Sequence, residues 1–135
     1  MMGIFIDTGI FVAARNKSDK NHDKAVDIIK KIQNKEFGDC YSSDYVFDEA
    51  IILMGTRTKS FRAMRDIGDF ILEMPNLMLQ YTDSKIFQSA WKIHEKYDDR
   101  LLSFTDATII AWCKSLKIKY IATIDSHFDG ILISI

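Results

Sequence analysis

Gly3-Ile4-Phe5-Ile6-Asp7 is a short, continuously apolar run that stops at an acid. Such a run suits a strand buried on both faces, because a strand with one wet face would alternate. Downstream of it, Thr8 or Asp7 is placed to cap a short helix through Ala14. Ser18 and Asp19 are the cap candidates for a second helix, whose Ala25, Ile28, Ile29 and Ile32 recur at helical spacing. Asp39 to Ser42 reads as a weak strand. Ser43 or Asp44 then starts a helix carrying Val46, Phe47, Ala50, Ile51 and Leu53. Another helix runs from about Ser60 to Glu73, and it stops there because a residue preceding proline is pushed out of helical conformation at Met74-Pro75. Leu77 to Tyr81 is a third strand, and Thr82 and Asp83 open a helix with Ile86, Ala90, Ile93, His94 and Tyr97 on one face. Ser103-Phe104-Thr105-Asp106 resembles a capping box for a helix carrying Ile109, Ile110, Cys113 and Leu116. Lys119 to Thr123, ending at Ile124-Asp125, and Ile131 to Ile135 complete the strands. Strands alternating with helices predict an α/β fold, three layers deep, with a central parallel sheet of about five strands.

The chain has 135 residues, a length that fits one domain spanning 1–135. There are no repeats or linkers, and Pro75 is the single proline. Eighteen basic and 19 acidic residues give 18 − 19 = −1, which excludes a polybasic protein that holds nucleic acid by net charge alone but not an enzyme with a local basic surface. A hydrophobic content of 47% argues against disorder. Cys40 and Cys113 lie far apart with no CxxC, so zinc is excluded by spacing and both read as buried thiols in a reducing compartment. The opening apolar run is too short for a secretory leader and is interrupted by Asp7, and no stretch approaches the ~20 apolar residues of a membrane span. The expectation is a soluble, cytoplasmic protein.

Four carboxylates stand out by position. Asp7 ends the first strand, Glu49 lies inside a largely apolar helix, Asp106 sits in the first turn of its helix, and Asp125 ends the fourth strand with Asp129 four residues on. Singly, the aspartates read as turn or cap residues. Glu49, flanked by Ala50 and Ile51, is expected to be buried, and a buried acid needs a partner or a metal. In open parallel sheets, ligands bind at the carboxyl ends of strands near the point where strand order reverses. Four acids converging there would repel one another, and a hard divalent cation with oxygen ligands, Mg²⁺ or Mn²⁺, relieves that repulsion. An open site of this kind activates water and clamps phosphate oxygens, the chemistry of phosphodiester hydrolysis.

Ile4-Phe5-Ile6-Asp7-Thr8, Ser42 to Ala50, Ser103-Phe104-Thr105-Asp106-Ala107 and Ala122 to Asp129 together resemble the PIN domain family, in particular its small single-domain VapC-type toxins. The resemblance spans the whole chain, with the four stretches in the family's order. It implies that Asp7, Glu49, Asp106 and Asp125 are the catalytic, metal-binding acids, with Asp129 a less regular fifth and Thr8 and Thr105 supporting hydroxyls. It departs from the pattern at Gly9, where relatives often carry Ser or Asn. It implies a metal-dependent ribonuclease that cuts single-stranded RNA to leave a 5′-phosphate and a 3′-hydroxyl. It further implies a cognate antitoxin, bound at a groove on the helices after Glu49, and a homodimer. Arg15, Lys17, Arg57 and Arg62 are the candidate RNA contacts. His127 is close enough in sequence to Asp125 to face the site, but by itself reads as an exposed loop residue, as His22 and His94 read as surface or helix-face residues.

Rival readings fit less well. Asp7-Thr8-Gly9 matches the aspartic-protease tripeptide, but those proteins are all-β. A phosphoacceptor domain wants paired acids after the first strand and an Asp after the third, where Gln80-Tyr81 stand. A haloacid-dehalogenase-like phosphatase needs an acid at position 9, which is glycine. A nuclease of rRNA processing or RNA decay without an antitoxin, and a non-catalytic α/β binding or signalling domain, are the alternatives to a toxin.

Overall fold

The computed structural model describes residues 3–135; Met1 and Met2, the start of the opening run, lie outside them. In chain order the elements are β1 (Gly3–Ile6), α1 (Thr8–Arg15), α2 (His22–Gln33), β2 (Asp39–Ser43), α3 (Asp44–Thr58), α4 (Phe61–Glu73), β3 (Leu77–Gln80), α5 (Ser84–Lys96), a 3₁₀ turn at Asp98–Arg100, α6 (Phe104–Leu116), β4 (Tyr120–Ala122) and β5 (Ile133–Ser134). The five strands form one parallel sheet in the order β3-β2-β1-β4-β5.

This order explains the three layers. The crossovers from β1 to β2 and from β2 to β3 step in the same direction, so right-handed connections lay α1 to α4 on one face. The connection from β3 to β4 steps back across the sheet and lays α5 and α6 on the other. The packing agrees: α1 meets α2, α3 and α4, while α5 pairs with α6. β1 lies at the centre, with all four residues buried, as its unbroken apolar run predicts. It is also where strand order reverses, between β2 and β4.

Local signals set most boundaries. Asp7 caps α1, Ser43 caps α3, Ser60 caps α4 and Asp83 caps α5. The capping box at Ser103 is complete: its hydroxyl accepts from the Asp106 N–H while the Asp106 carboxylate accepts from the Ser103 N–H. Asp44 accepts from both the N–H and the hydroxyl of Thr82, pinning the start of α3 to the loop before α5.

Three expectations are corrected. Neither Ser18 nor Asp19 caps α2, which starts later, at His22. The Asp19 carboxylate is turned instead to the Asn21 N–H and to Arg57. β4 stops at Ala122 instead of reaching Asp125, because the Thr123 hydroxyl accepts from the Asp125 N–H and folds the chain into a turn. β5 is only Ile133–Ser134, since the N–H groups of Ile131 and Leu132 are taken by the Phe128 carbonyl in the preceding turn. Cys40 and Cys113 are free and buried, and burial pushes the Cys113 thiol up to about 12, which keeps it protonated and unreactive. Among the described residues no helix is long and apolar enough to cross a membrane.

Candidate active site

The carboxyl ends of β1 and β4 open into a cavity of about 390 Å³, on whose wall Asp7, Glu49, Asp106 and Asp125 all lie. Four separate elements deliver them, as the strand-order argument predicts for a switch point.

Asp7 is the deepest, only 2% exposed. One carboxylate oxygen accepts from the Thr8 N–H and the other from the Thr123 hydroxyl, both at 2.8 Å. Burial pushes its pKa up to about 7, opposed by those two hydrogen bonds and reinforced by the negative Asp106 and Asp125. Asp106 is buried at the start of α6, where the capping box fixes its rotamer. Glu49 is half-buried on α3, not enclosed in the core as its apolar neighbours suggested; its side chain borders the cavity. Asp125 is the most exposed of the four and hangs from the turn beyond β4.

The turn contributes more than Asp125. Phe128 is fully buried and anchors it, and the Arg100 guanidinium donates to the carbonyls of His127 and Asp129. His127 is thereby swung onto the cavity wall, with Nδ1 3.1 Å from an Asp106 carboxylate oxygen and 3.9 Å from one of Asp125. His22 and His94 are half-buried and each rests a ring nitrogen on a backbone carbonyl, of Ala13 and Leu102 respectively.

Other candidates separate. Thr8 lines the cavity, and its buried hydroxyl has no hydrogen-bond partner. Thr105 does not border the cavity. Neither does Asp129, which is exposed and meets Arg100 only through its carbonyl. Arg15 is drawn away by Asp66, to which it donates two hydrogen bonds, and lies over the Phe70 ring. Lys17 and Arg62 are exposed and line neither this cavity nor the cleft beside it. Arg57 does line it, the one Lys or Arg to do so among the described residues, and is held at 3.1 Å by Asp19. At Gly9 a Cβ would lie 3.0 Å from Ile124, so the isoleucine fills the space a side chain would take there. Thr123 was missed by the sequence reading: a threonine in a strand looks like a strand former, and its two bonds are invisible until the sheet is built.

The donor set is all hard oxygen, the chemistry Mg²⁺ and Mn²⁺ require. The unpartnered Thr8 hydroxyl adds a further hard oxygen on the cavity wall, and Asp7, whose pKa burial lifts, lies deep among the acids. Among the described residues, no three His, Cys, Asp or Glu side chains are already drawn close enough to hold an ion.

A family model described as PIN domain matches residues 4–131. A search of curated proteins by sequence gave no match. Among solved structures, the chain is similar to the Mycobacterium tuberculosis toxin VapC20, described as cleaving the sarcin–ricin loop, at 24% identity and a TM-score of 0.81 over 94% of this chain and 93% of that one. It is also similar to a chain of VapBC2 from Rickettsia felis, solved with a promoter DNA fragment, at 16% identity and a TM-score of 0.69 over 99% and 98%. A third likeness is to FitAcB from Neisseria gonorrhoeae, at 12% identity and a TM-score of 0.62 over 97% and 95%.

Proposed function

The chain belongs to the PIN domain family, and from that premise we propose that it is a Mg²⁺- or Mn²⁺-dependent endoribonuclease that cuts single-stranded RNA, the toxin of a type II toxin–antitoxin pair. One observation carries the reading: four acids from the junction of β1 and α1, from α3, from α6 and from the turn after β4, scattered over the sequence, border one cavity where the strand order reverses.

Asp7, Glu49, Asp106 and Asp125 are the residues to hold the ion. When bound, it supplies a water of lowered pKa and a clamp on phosphate oxygens. The reaction is hydrolysis: water adds to phosphorus, the bond from phosphorus to the 3′-oxygen breaks, and a 5′-phosphate and a 3′-hydroxyl remain. Asp7 and Asp106 are the fixed part of the cradle, one tied by Thr8 and Thr123 and the other by the capping box. Arg57 and His127, on the wall of the same cavity, are placed to meet the negative scissile phosphate.

The antitoxin reading has its own support. A groove of about 290 Å³ between α3 and α4 is lined by Phe47, Ile51, Phe61, Met64 and Leu72, and Phe61 and Leu72 are more than half exposed. Such a patch fits the apolar face of a partner helix. A second copy of the chain is the other partner proposed.

The test is cleavage of single-stranded RNA by the purified chain with Mn²⁺ or Mg²⁺, the sarcin–ricin loop being one substrate to offer. Cleavage that stops with EDTA and with Asp7→Asn supports the reading. Intact RNA under every metal condition defeats it. Growth arrest on induced expression, absent in Asp7→Asn, tests the toxin role.

A further inference from the structure

The acid-lined cavity is not closed on the side of Arg57. There it adjoins an open polar cleft of about 620 Å³, and Arg57, Ile124 and Asp125 border both. The far wall of the cleft is the loop between α1 and α2, which contributes Asn16, Lys20 and Asn21. The volume is within the ~300–1,000 Å³ typical of ligand sites.

Three features make this wall more than a polar surface. Asp19 is almost fully buried beneath it, with 8% of its side chain exposed, and fixes Arg57 at 3.1 Å. The guanidinium is thus held at the junction of the two cavities, with donors to spare. Asn21 occupies the N-cap position of α2, yet its side chain makes no cap bond, so its amide is free to face the cleft. Asn16 uses its carbonyl oxygen on the Ser18 N–H, which leaves its NH₂ group as a donor. A guanidinium held in place and a lysine beside free amides match a nucleotide: phosphate for Arg57 and Lys20, base edge for Asn16 and Asn21. Asp19 and Asp125 also border the cleft; the Asp19–Arg57 pair cancels in net charge, so Arg57 offers a phosphate its spare N–H donors and Lys20 offers the charge.

We propose that the cleft is the subsite for the nucleotide next to the scissile phosphate of a single-stranded RNA, with Arg57 and Lys20 on its phosphate and the Asn16 and Asn21 amides reading its base. The proposal rests on the ribonuclease reading for the scissile phosphate, but the cleft's occupancy is measurable without cleavage. Lys20 is exposed and Asn21 half-buried in a loop, so Lys20→Ala and Asn21→Ala leave the Asp19–Arg57 pair and the fold in place.

Short fluorescent oligo(U), oligo(A) and oligo(C) RNAs are titrated with the full chain in EDTA, so that nothing is cut, at several salt concentrations. Lys20→Ala should weaken all three alike and lower the salt slope by about 0.7, the value for one phosphate contact on a single strand. Asn21→Ala should narrow the preference among the three by roughly tenfold, the scale of one base-edge recognition. Lys85→Ala, at an exposed position of α5 away from the cleft lining, should bind as wild type. Wild-type affinity, slope and preference in both cleft variants, or no binding by the unaltered chain, overturns the proposal. If the chain binds through the cleft yet leaves RNA intact with Mn²⁺, the nuclease reading falls, and the cleft stands as a nucleotide-binding site without its place beside a scissile phosphate. If it cuts RNA while both variants bind and cut as wild type, the subsite falls alone.

Discussion

The Thr123 hydroxyl donates to the Asp7 carboxylate at 2.8 Å and accepts from the Asp125 N–H at 3.0 Å. One oxygen therefore sets both the rotamer of the deepest acid and the turn that carries the most exposed one. It also accounts for the chain turning away before Asp125, whose backbone N–H is taken by that hydroxyl and not by a neighbouring strand.

Thr123→Val, which keeps the shape and removes both bonds, should lower RNA cleavage by about 10- to 100-fold, the usual cost of losing a partner that orients a metal ligand. Thr123→Ser should restore most of it. Steady-state cleavage rates at saturating Mn²⁺ decide this; a Val variant as active as wild type removes the hydroxyl from the account.

The lifted pKa of Asp7 gives a pH dependence with a definite sign. The folded chain keeps the proton until about pH 7, while the unfolded chain releases it near the ordinary 3.8. Between those values the unfolded form binds fewer protons, so stability falls as pH rises and levels off above about 7. Urea midpoints in EDTA should be lower at pH 8 than at pH 5, and Asp7→Asn should flatten that difference. Equal slopes for the two proteins would contradict the burial argument.

Asp7→Asn should abolish cleavage while leaving the chain folded and, at pH 8 without metal, more stable than wild type. Removing one of four like charges relieves repulsion with Asp106 and Asp125. Circular dichroism and thermal melts in EDTA, beside the RNA assay, separate lost chemistry from lost fold.

Metal itself should stabilise. At a free Mn²⁺ concentration 100 times its Kd, a site present only in the folded chain adds about 2.7 kcal/mol, readable as a rise in Tm. The rise should shrink in Asp7→Asn and at acid pH, where protons compete for the carboxylates. A Tm indifferent to Mn²⁺ and Mg²⁺ counts against the acids as a cation site.

Gly9→Ala should cost about 1 kcal/mol, because the new Cβ would sit 3.0 Å from Ile124 Cγ1 and the isoleucine must shift. Ile124→Val in the same chain should recover much of that loss. Denaturation of the four chains of the cycle measures the coupling; additive costs would mean that the two residues do not share the space.

Much of this protein was legible in its sequence because the signals are local. An unbroken apolar run makes β1 a central strand, and caps at Asp7, Ser43, Ser60, Asp83 and Ser103 are set by residues no more than three positions away. Acids at or just past the ends of strands could be picked out by the same reading, since topology alone sends strand ends to one edge. Side-chain partnerships are different. Thr123 meets Asp7 across 116 residues, Arg57 meets Asp19 across 38, and Arg15 is diverted to Asp66 across 51. No periodicity encodes such pairs; they exist only once the sheet has closed. Folding alone therefore decided that Asp129 stays outside, that His127 turns in, and that Arg57 is the basic residue left at the cavity's edge.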